Sequence, residues 1–197
     1  LTLKDDSCVE YISIIHNAGR EAGATIAHPH SQIIAIPVIP PDVGRSLRGS
    51  AEYFRRTRRC VHCVMLAFEL RQKKRLIYAN RGFVVFAPYA SRQAFEVRIF
   101  PRHHNPEFER VSDSELGELA DALRISLAKL ASGLRDPAYN FFIHTAPTAD
   151  GARAPHYHWH LEIVPKTAVW AGFEIGTRME ISTTSPEVAS ALLRRAS

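Results

Sequence analysis

The sequence has 197 residues, 46% of them hydrophobic and 23% charged, which is the composition of an ordinary globular protein. No apolar run approaches the roughly 20 residues that cross a bilayer, and no secretory signal opens the chain, so we predict neither a membrane partner nor secretion. The net charge of +5 suits an anionic small molecule as well as nucleic acid. Because no aromatic residues are interleaved with the dense basic run RRTRR, we predict no nucleic-acid partner.

The predicted elements begin with residues 7–22, where apolar residues recur at helical spacing and favour a helix. The apolar run IIAIPVIPP at 33–41 favours a strand that is closed by prolines. Residues 42–59 are polar and basic, which is typical of a linker. We therefore predict two units, residues 1–45 and residues 46–197, with the boundary in this linker.

The second unit contains a helix start signal at Ser112, which is followed by Glu115 in a capping box and then by leucines at helical spacing up to Gly133. The other predicted elements of this unit are a helix at 60–74, a hairpin at 75–89, strands at 94–101, 139–147 and 158–165, a strand or loop at 173–181, and a helix after Ser185. Adjacent strands without intervening helices favour antiparallel pairing. The predicted fold class is therefore α+β, with an antiparallel sheet and one long helix.

Cys60 and Cys63 form a C-x-x-C motif, which can supply two ligands to a tetrahedral metal ion. His103 or His104, after one predicted strand, and His156, before another, are candidates for the remaining two ligands. Thiolates combined with imidazoles select zinc. A redox dithiol, or two incidental thiols, is the alternative interpretation. An odd number of cysteines argues against a disulfide framework, so we predict a reducing compartment, the cytoplasm.

The segment HYHWH carries three alternating histidines. Side chains of a strand alternate between its two faces, so His156, His158 and His160 are predicted to project to one side. Three imidazoles on one face are costly to bury without a metal or a phosphate to bind. The alternation therefore favours a binding role over a scatter of surface histidines.

The segment HPHSQ repeats this pattern, with His28, His30 and Gln32 on one face. Histidine is a competent nucleophile in phosphoryl chemistry, and its attack on an α-phosphate forms a phosphoramidate. Gln32 supplies a neutral hydrogen-bond donor where a third histidine would supply an acid, which favours transfer to a phosphate acceptor. Gly19 and Gly23 would let the backbone approach a phosphate closely, although a helix end and turn explain the same glycines.

These residues resemble a known family. The segment NAGREAGATIAHPHSQ at 17–32 closely resembles the active-site signature of the galactose-1-phosphate uridylyltransferase family, which belongs to the histidine-triad superfamily. The C-x-x-C, FEVRIFPRH, YN with HTAP, HYHWHLEIVP and AGFEIGT match the second half of that family. The sequences of these segments are similar to those of the family branch that includes ADP-glucose phosphorylase. The resemblance implies two related α+β halves, each on an antiparallel sheet, and it implies residues ahead of Leu1.

The resemblance also implies roles for individual residues. His30 would be the nucleophile that holds the nucleoside monophosphate, and His28 would be a zinc ligand of the first half. Gln32 would hydrogen-bond the transferring phosphate, and Glu174 would lie near the sugar. The further residues implied are Asn17, Gly19 and Ser31 near the phosphate, and Cys60, Cys63, His103 and His156 as ligands of a structural zinc ion.

The reaction implied by the resemblance is ping-pong. A nucleotide sugar (a UDP- or ADP-hexose) gives a nucleotidyl-histidine and a hexose 1-phosphate, and a sugar phosphate or phosphate then accepts the nucleotidyl group. Family members commonly form homodimers. Two alternatives stay open: a histidine-triad hydrolase with His158 as nucleophile and His160 in the third-histidine position, and a non-catalytic, zinc-stabilised nucleotide-binding module.

Overall fold

The computed structural model of the chain describes residues 3–149 and 154–196. Its centre is one seven-stranded sheet in the order β2-β1-β6-β7-β5-β4-β3, in which each neighbouring pair is antiparallel. The strands are β1 (Tyr11–Ala18), β2 (Ser31–Ile36), β3 (Leu76–Ala79), β4 (Phe83–Phe86), β5 (Val97–Pro101), β6 (Tyr139–His144) and β7 (His160–Pro165). The predicted α+β class is confirmed.

Within the described residues, five α-helices accompany the sheet, and short 3-10 turns lie at 3–5, 20–22 and 108–110. The α-helices are α1 (Pro41–Thr57), α2 (Val61–Gln72), α3 (Asp113–Leu134), α4 (Gly172–Thr177) and α5 (Pro186–Arg195). The predicted capping box of the longest helix, α3, is present, since Ser112 accepts from the Glu115 backbone and Glu115 accepts from the Ser112 backbone. No helix in the described part of the chain is long and apolar enough to span a membrane.

Apolar side chains bury both faces of the sheet. On one face, Leu119 and Leu130 of α3 pack in a cluster with Ile99, Trp159 and Ile163. On the other face, a smaller cluster joins α2 to the sheet through Leu66, Val84, Phe86 and Phe100. His144 of β6, together with His160 and Glu162 of β7, lines a cavity with His62 of α2, which belongs to the candidate site described below.

The prediction of a helix over residues 7–22 is wrong, because residues 11–18 form β1 and residues 20–22 form a single 3-10 turn. β1 lies between β2 and β6 and forms ladders with both, so its backbone groups are satisfied on each side. Ile12, Ile14 and Ile15 are β-branched and fit a pleated surface. The helical spacing of its apolar residues is local, and strand pairing with distant residues overrides it.

The prediction of a linker over residues 42–59 is also wrong. Residues 41–57 form α1, which begins with Pro41 in its first turn and buries Val43, Leu47 and Ser50 along one side. The rest of this helix is polar and basic. Because only a narrow stripe of its surface is buried, the sequence shows few apolar residues from which a helix could be predicted. Residues 173–181 were expected to form a strand or a loop. The GFEIGT segment instead forms the short helix α4, and only residues 178–181 have no regular structure.

The two predicted units share the one sheet, because β1 of the first pairs with β6 of the second. Across four strands, Gln32 pairs with Ile15, Ile15 with Phe142, and Phe142 with Glu162. This row places the hairpins β1–β2 and β6–β7 symmetrically about the Ile15–Phe142 pair.

Candidate functional site

His30 immediately precedes β2 and is partly exposed. Its Nδ1 lies 3.0 Å from the carbonyl oxygen of His28. A carbonyl oxygen only accepts hydrogen bonds, so Nδ1 carries the proton and Nε2 keeps its lone pair. The turn at His28 thus fixes the tautomer that a nucleophilic imidazole requires.

The loop between β1 and β2 needs its glycines. Gly19 has a φ of +83°, and a Cβ built there would lie 2.7 Å from the Cβ of Ala138. Gly23 has a φ of +85° and ends the 3-10 turn at 20–22. Any larger residue at Gly19 would push the loop away from the sheet. The loop lines an open cleft of about 680 Å³ together with His16, Asn17, Pro29 and Tyr139.

Asn17 is held by a neighbouring strand. The side-chain nitrogen of Asn140 donates to Asn17 Oδ1 at 2.7 Å and to the Ala22 carbonyl at 2.8 Å. One amide thus ties β1 to the glycine loop. Asn17 and Gly19 therefore line the same cleft, which begins at the residues beside His30.

His16 is a member of this site that the sequence reasoning missed. Its side chain is buried, and its ring stacks on Phe141 with centroids 4.8 Å apart. Nδ1 lies 3.2 Å from Ser31 Oγ, so His16 supports the residue that follows His30. Burial, and secondarily the neighbouring His30 imidazole, lower the pKa of His16. The signal that could have found it is the strand register, which sets His16 opposite Ser31.

Two of the predicted site residues lie apart from this group. Gln32 is exposed on β2, where it pairs with Ile15 in the ladder. Glu174 lies on α4, and its carboxylate accepts a hydrogen bond from the Ala171 backbone at 3.1 Å. It lines a groove with Gln93 and Glu180, and these two residues also line the neighbouring groove that contains Asn17.

A second group contains four potential metal ligands, Cys60, Cys63, His104 and His158, whose ligand atoms all lie within 4.8 Å of one another. Cys63 Sγ lies 3.3 Å from His104 Nδ1 and 3.5 Å from His158 Nδ1. A tetrahedral zinc ion with its usual bond lengths sets sulfur and nitrogen ligands about 3.6 Å apart. The donor set and its spacing therefore fit a structural zinc ion.

The thiols of this group share one proton. A hydrogen bond from Cys63, supported by the imidazoles of His104 and His158, lowers the pKa of Cys60. The proton stays on Cys63, whose pKa is raised by that same bond and by burial. One thiolate is thus already favoured in the folded chain, as metal binding requires.

The structure differs from the sequence-based ligand set at both histidines. Its group contains His104 in place of His103 and His158 in place of His156. β7 begins only at His160, and His156 lies in a turn with its ring 6.5 Å from that of Phe54. The strict alternation expected for HYHWH therefore applies only from His158 onward, where His158 and His160 both contact Phe100 and Trp159 packs in the cluster on the other face.

A third group surrounds Glu162, which is only 3% exposed. Arg98 and Arg92 approach its carboxylate at 2.7 and 2.9 Å, and His144 and His160 approach it at 3.5 and 3.7 Å. Burial acts to raise the pKa of Glu162, but the histidines and Arg98 outweigh it and hold the pKa well below 4.5. Burial lowers the pKa of His160 to about 4, so this imidazole is neutral at pH 7.

The two histidine motifs correspond in their hydrogen bonding. His30 Nδ1 lies 3.0 Å from the carbonyl oxygen of His28, and His160 Nδ1 lies 3.1 Å from that of His158. HPHSQ therefore matches HWHLE rather than HYHWH. The matching row of the sheet supports this, because Gln32 and Glu162 occupy its two ends.

A family model described as "Domain of unknown function (DUF4921)" matches residues 2–195. The chain belongs to this family. Among curated proteins, ADP-glucose phosphorylase of Arabidopsis thaliana is 37% identical over 190 residues, which are 96% of this chain and 53% of that protein. Galactose-1-phosphate uridylyltransferase of Thermotoga maritima is 29% identical over 199 residues, 98% of this chain and 62% of that protein.

Solved structures agree with these relatives. The Arabidopsis thaliana ADP-glucose phosphorylase with bound ADP-glucose superposes with a TM-score of 0.91 at 36% identity, covering 98% of this chain and 61% of that one. A uridylyltransferase gives a TM-score of 0.90 at 30% identity, covering 98% and 62%. The resemblance of this DUF4921 chain to the galactose-1-phosphate uridylyltransferase family is therefore confirmed. The chain spans between half and two thirds of the length of these relatives.

Proposed function

We propose that this DUF4921 protein is a nucleotidyltransferase that moves a nucleoside monophosphate between a nucleotide sugar and a phosphate acceptor. The observation that carries the proposal is the fixed tautomer of His30, whose protonated Nδ1 faces the His28 carbonyl at 3.0 Å. This leaves a nucleophilic Nε2 on the residue that follows Pro29, and Pro29 lines the cleft that also contains Gly19 and Gly23. The relatives named above are enzymes that act on nucleotide sugars or sugar phosphates.

The chemistry has two balanced steps. In the first, the lone pair of His30 Nε2 attacks the α-phosphorus, an N–P bond forms, and the P–O bond to the β-phosphate breaks with release of a hexose 1-phosphate. In the second, an oxygen of the acceptor phosphate attacks the same phosphorus, and the N–P bond returns its electrons to Nε2. An acceptor that is already ionised needs no general base, which agrees with a neutral glutamine two residues after the nucleophile in HPHSQ.

The remaining binding roles follow from position. Asn17, Gly19 and Ser31 are proposed to hold the phosphates, since Asn17 and Gly19 line the cleft and Ser31 is anchored by His16. Glu174 is proposed as a sugar contact. The groove that contains Glu174 and the groove that contains Asn17 are both lined by Gln93 and Glu180, which supports a continuous path between them. UDP- and ADP-hexoses are both retained as substrates.

Zinc is proposed as the resident metal, held by Cys60, Cys63, His104 and His158. A closed set of four ligands leaves no position for a reactive water, so the ion would brace the start of α2 against β5 and β7. His28 is proposed as a ligand of a separate first-half zinc ion.

The hydrolase alternative is disfavoured by the structure. His158 has no exposed surface and belongs to the thiolate group, so its imidazole is not placed to attack a substrate. His160 is also buried, at 3% exposure. The non-catalytic binding module remains as a defined outcome of the experiment below.

The test uses the full-length protein and labelled ADP-glucose or UDP-glucose. We expect acid-labile, base-stable labelling of the protein that is lost in His30→Ala and retained in the matched second-motif variant His160→Asn. Labelling that persists in His30→Ala would contradict the assignment of the nucleophile. Nucleotide-sugar binding without any labelling would identify the binding module instead.

A homodimer and a cytoplasmic location complete the proposal. A segment near the C-terminus exposes large apolar side chains, which is typical of a protein interface; these are Val169, Trp170, Phe173, Ile175, Met179 and Ile181. The free thiols Cys60 and Cys63 suit a reducing compartment. Light scattering of the purified protein would test the dimer, and cell fractionation would test the location.

A further inference from the structure

The second histidine motif surrounds one buried carboxylate with two guanidinium groups and two imidazoles. Two guanidinium groups lie within 2.9 Å of Glu162, those of Arg92 and Arg98. The Nε2 atoms of His144 and His160 lie within 3.7 Å. Planar guanidinium forks combined with imidazoles are the groups with which proteins bind phosphate. The carboxylate of Glu162 occupies the point where these groups converge, and the two arginines are its hydrogen-bond donors.

Each of the two arginines has a carboxylate partner other than Glu162. Arg98 also pairs with Glu96 at 2.8 Å, and Arg92 lies 3.6 Å from Asp42 and 3.9 Å from Glu180. Neutralising Glu162 would therefore leave each arginine with another carboxylate while removing one negative charge from the centre. An anion would then be drawn to the two guanidinium groups, because a neutral residue 162 no longer balances their charge.

The position lies beside a cavity with room for a ligand. Its volume is about 290 Å³, and its lining includes His62, His144, His160 and Glu162. The His62 side chain is 8% exposed, and its Nδ1 has no hydrogen-bond partner among the described residues. An unpaired, buried ring nitrogen in the lining is a further donor or acceptor for a bound group.

The correspondence between the HPHSQ and HWHLE motifs indicates a role for Glu162. Gln32 ends HPHSQ and Glu162 ends HWHLE, and the two residues lie at opposite ends of the same row of the sheet. We propose that Glu162 fills, with its own carboxylate, a phosphate-binding position in the second motif, and so confines nucleotide chemistry to the first. The ligand class of this masked position is a phosphate monoester or inorganic phosphate. The inference rests on the proposed function for the statement that the first motif binds phosphate.

The same cluster is also a candidate metal site, since His144, His160 and Glu162 offer three ligand atoms. The arginines argue against that occupant. A divalent cation on Glu162 would be placed next to two guanidinium groups that already contact both carboxylate oxygens. The charge arrangement favours an anion over a cation at this position.

The test compares Glu162→Gln with the wild-type full chain in inorganic phosphate. Glu162→Gln turns HWHLE into HWHLQ, the pattern of HPHSQ. We expect it to bind phosphate at least tenfold more tightly than the wild type, measured by calorimetry and by a rise in Tm with phosphate at constant ionic strength. The matched control is Glu96→Gln, which removes a buried carboxylate from the same Arg98 without neutralising the central position, and it should not gain affinity.

Three results would overturn the proposal. The first is a folded Glu162→Gln protein with wild-type phosphate affinity, and the second is an equal gain in Glu96→Gln. The third is a metal ion bound by the wild type and lost in His144→Ala. If Glu162→Gln does not fold in chloride, we expect phosphate to restore folding to it or to Glu162→Ala, and failure of both variants in both buffers would also refute the idea.

Failure of the proposed function has a different signature. Absence of nucleotidyl labelling at His30, combined with phosphate binding to Glu162→Gln, would remove the transferase assignment and leave the masked site. Labelling at His30 with no gain of phosphate binding in Glu162→Gln would do the reverse.

Discussion

The two adjacent histidines His103 and His104 allow a direct test of the metal centre. Both are exposed and both follow β5, but only His104 belongs to the four-ligand group, with its Nδ1 3.3 Å from Cys63 Sγ. Structural zinc sites bind with an apparent free energy of about 10–16 kcal/mol, so an equal share for one of four ligands is roughly 2.5–4 kcal/mol. We expect His104→Ala to weaken zinc binding by roughly two to three orders of magnitude.

The assay is competition between the protein and a chromophoric chelator, with metal content measured by mass spectrometry. Wild type and His103→Ala should carry about one zinc ion per chain at the second-half site and release it at the same chelator concentration. His104→Ala should release it far earlier and lose thermal stability, because metal binding is coupled to folding. Loss of zinc from His103→Ala with retention in His104→Ala would refute the register seen in the structure.

Three further predictions follow from single contacts. His16→Phe keeps an aromatic ring but removes the hydrogen bond to Ser31, so we expect nucleotidyl labelling to slow about fivefold, and an unchanged rate would show that His16 only packs. Burial acts to raise the pKa of Glu107, but Lys4 and Arg110 outweigh it and lower this pKa from its usual 4.5. The free energy of unfolding should therefore fall as the pH drops below 4.5. In urea titrations, this fall should be less steep for Glu107→Gln. Leu130→Ala, at 1% exposure, should cost about 2–5 kcal/mol in the same titration, whereas Leu116→Ala, at 42% exposure, should cost under about 0.5 kcal/mol.

The composition of the motifs determined the chemistry of the candidate site. HPHSQ and the C-x-x-C are defined by residue types at short spacing, and short spacing is preserved in any fold. The capping box at Ser112 is equally local, since its hydrogen bonds link residues three apart. The hairpin turn at Asn80 is local for the same reason, with the Asn80 side chain accepting from the Gly82 and Phe83 backbones.

Contacts between residues distant in sequence determined the structure where predictions from local patterns were wrong. Residues 7–22 show helical spacing, yet β1 is fixed by partners up to 129 residues away, as Ile14 pairs with Ile143. The basic residues of 42–59 suggested a linker because α1 has only a narrow buried stripe. His16 was overlooked because its contact with Ser31 depends on the register of two strands.

The sequence by itself determined which residue types could bind a metal ion or attack a phosphate, because ligand chemistry depends on the side chain alone. Only the tertiary structure decided which histidine of each neighbouring pair takes part, His104 and His158 rather than His103 and His156. The start of β7 at His160 sets that register, and a shift of one or two residues changes the direction of every side chain. The structure likewise brought Arg92 and Arg98, from a loop and a distant strand, onto Glu162.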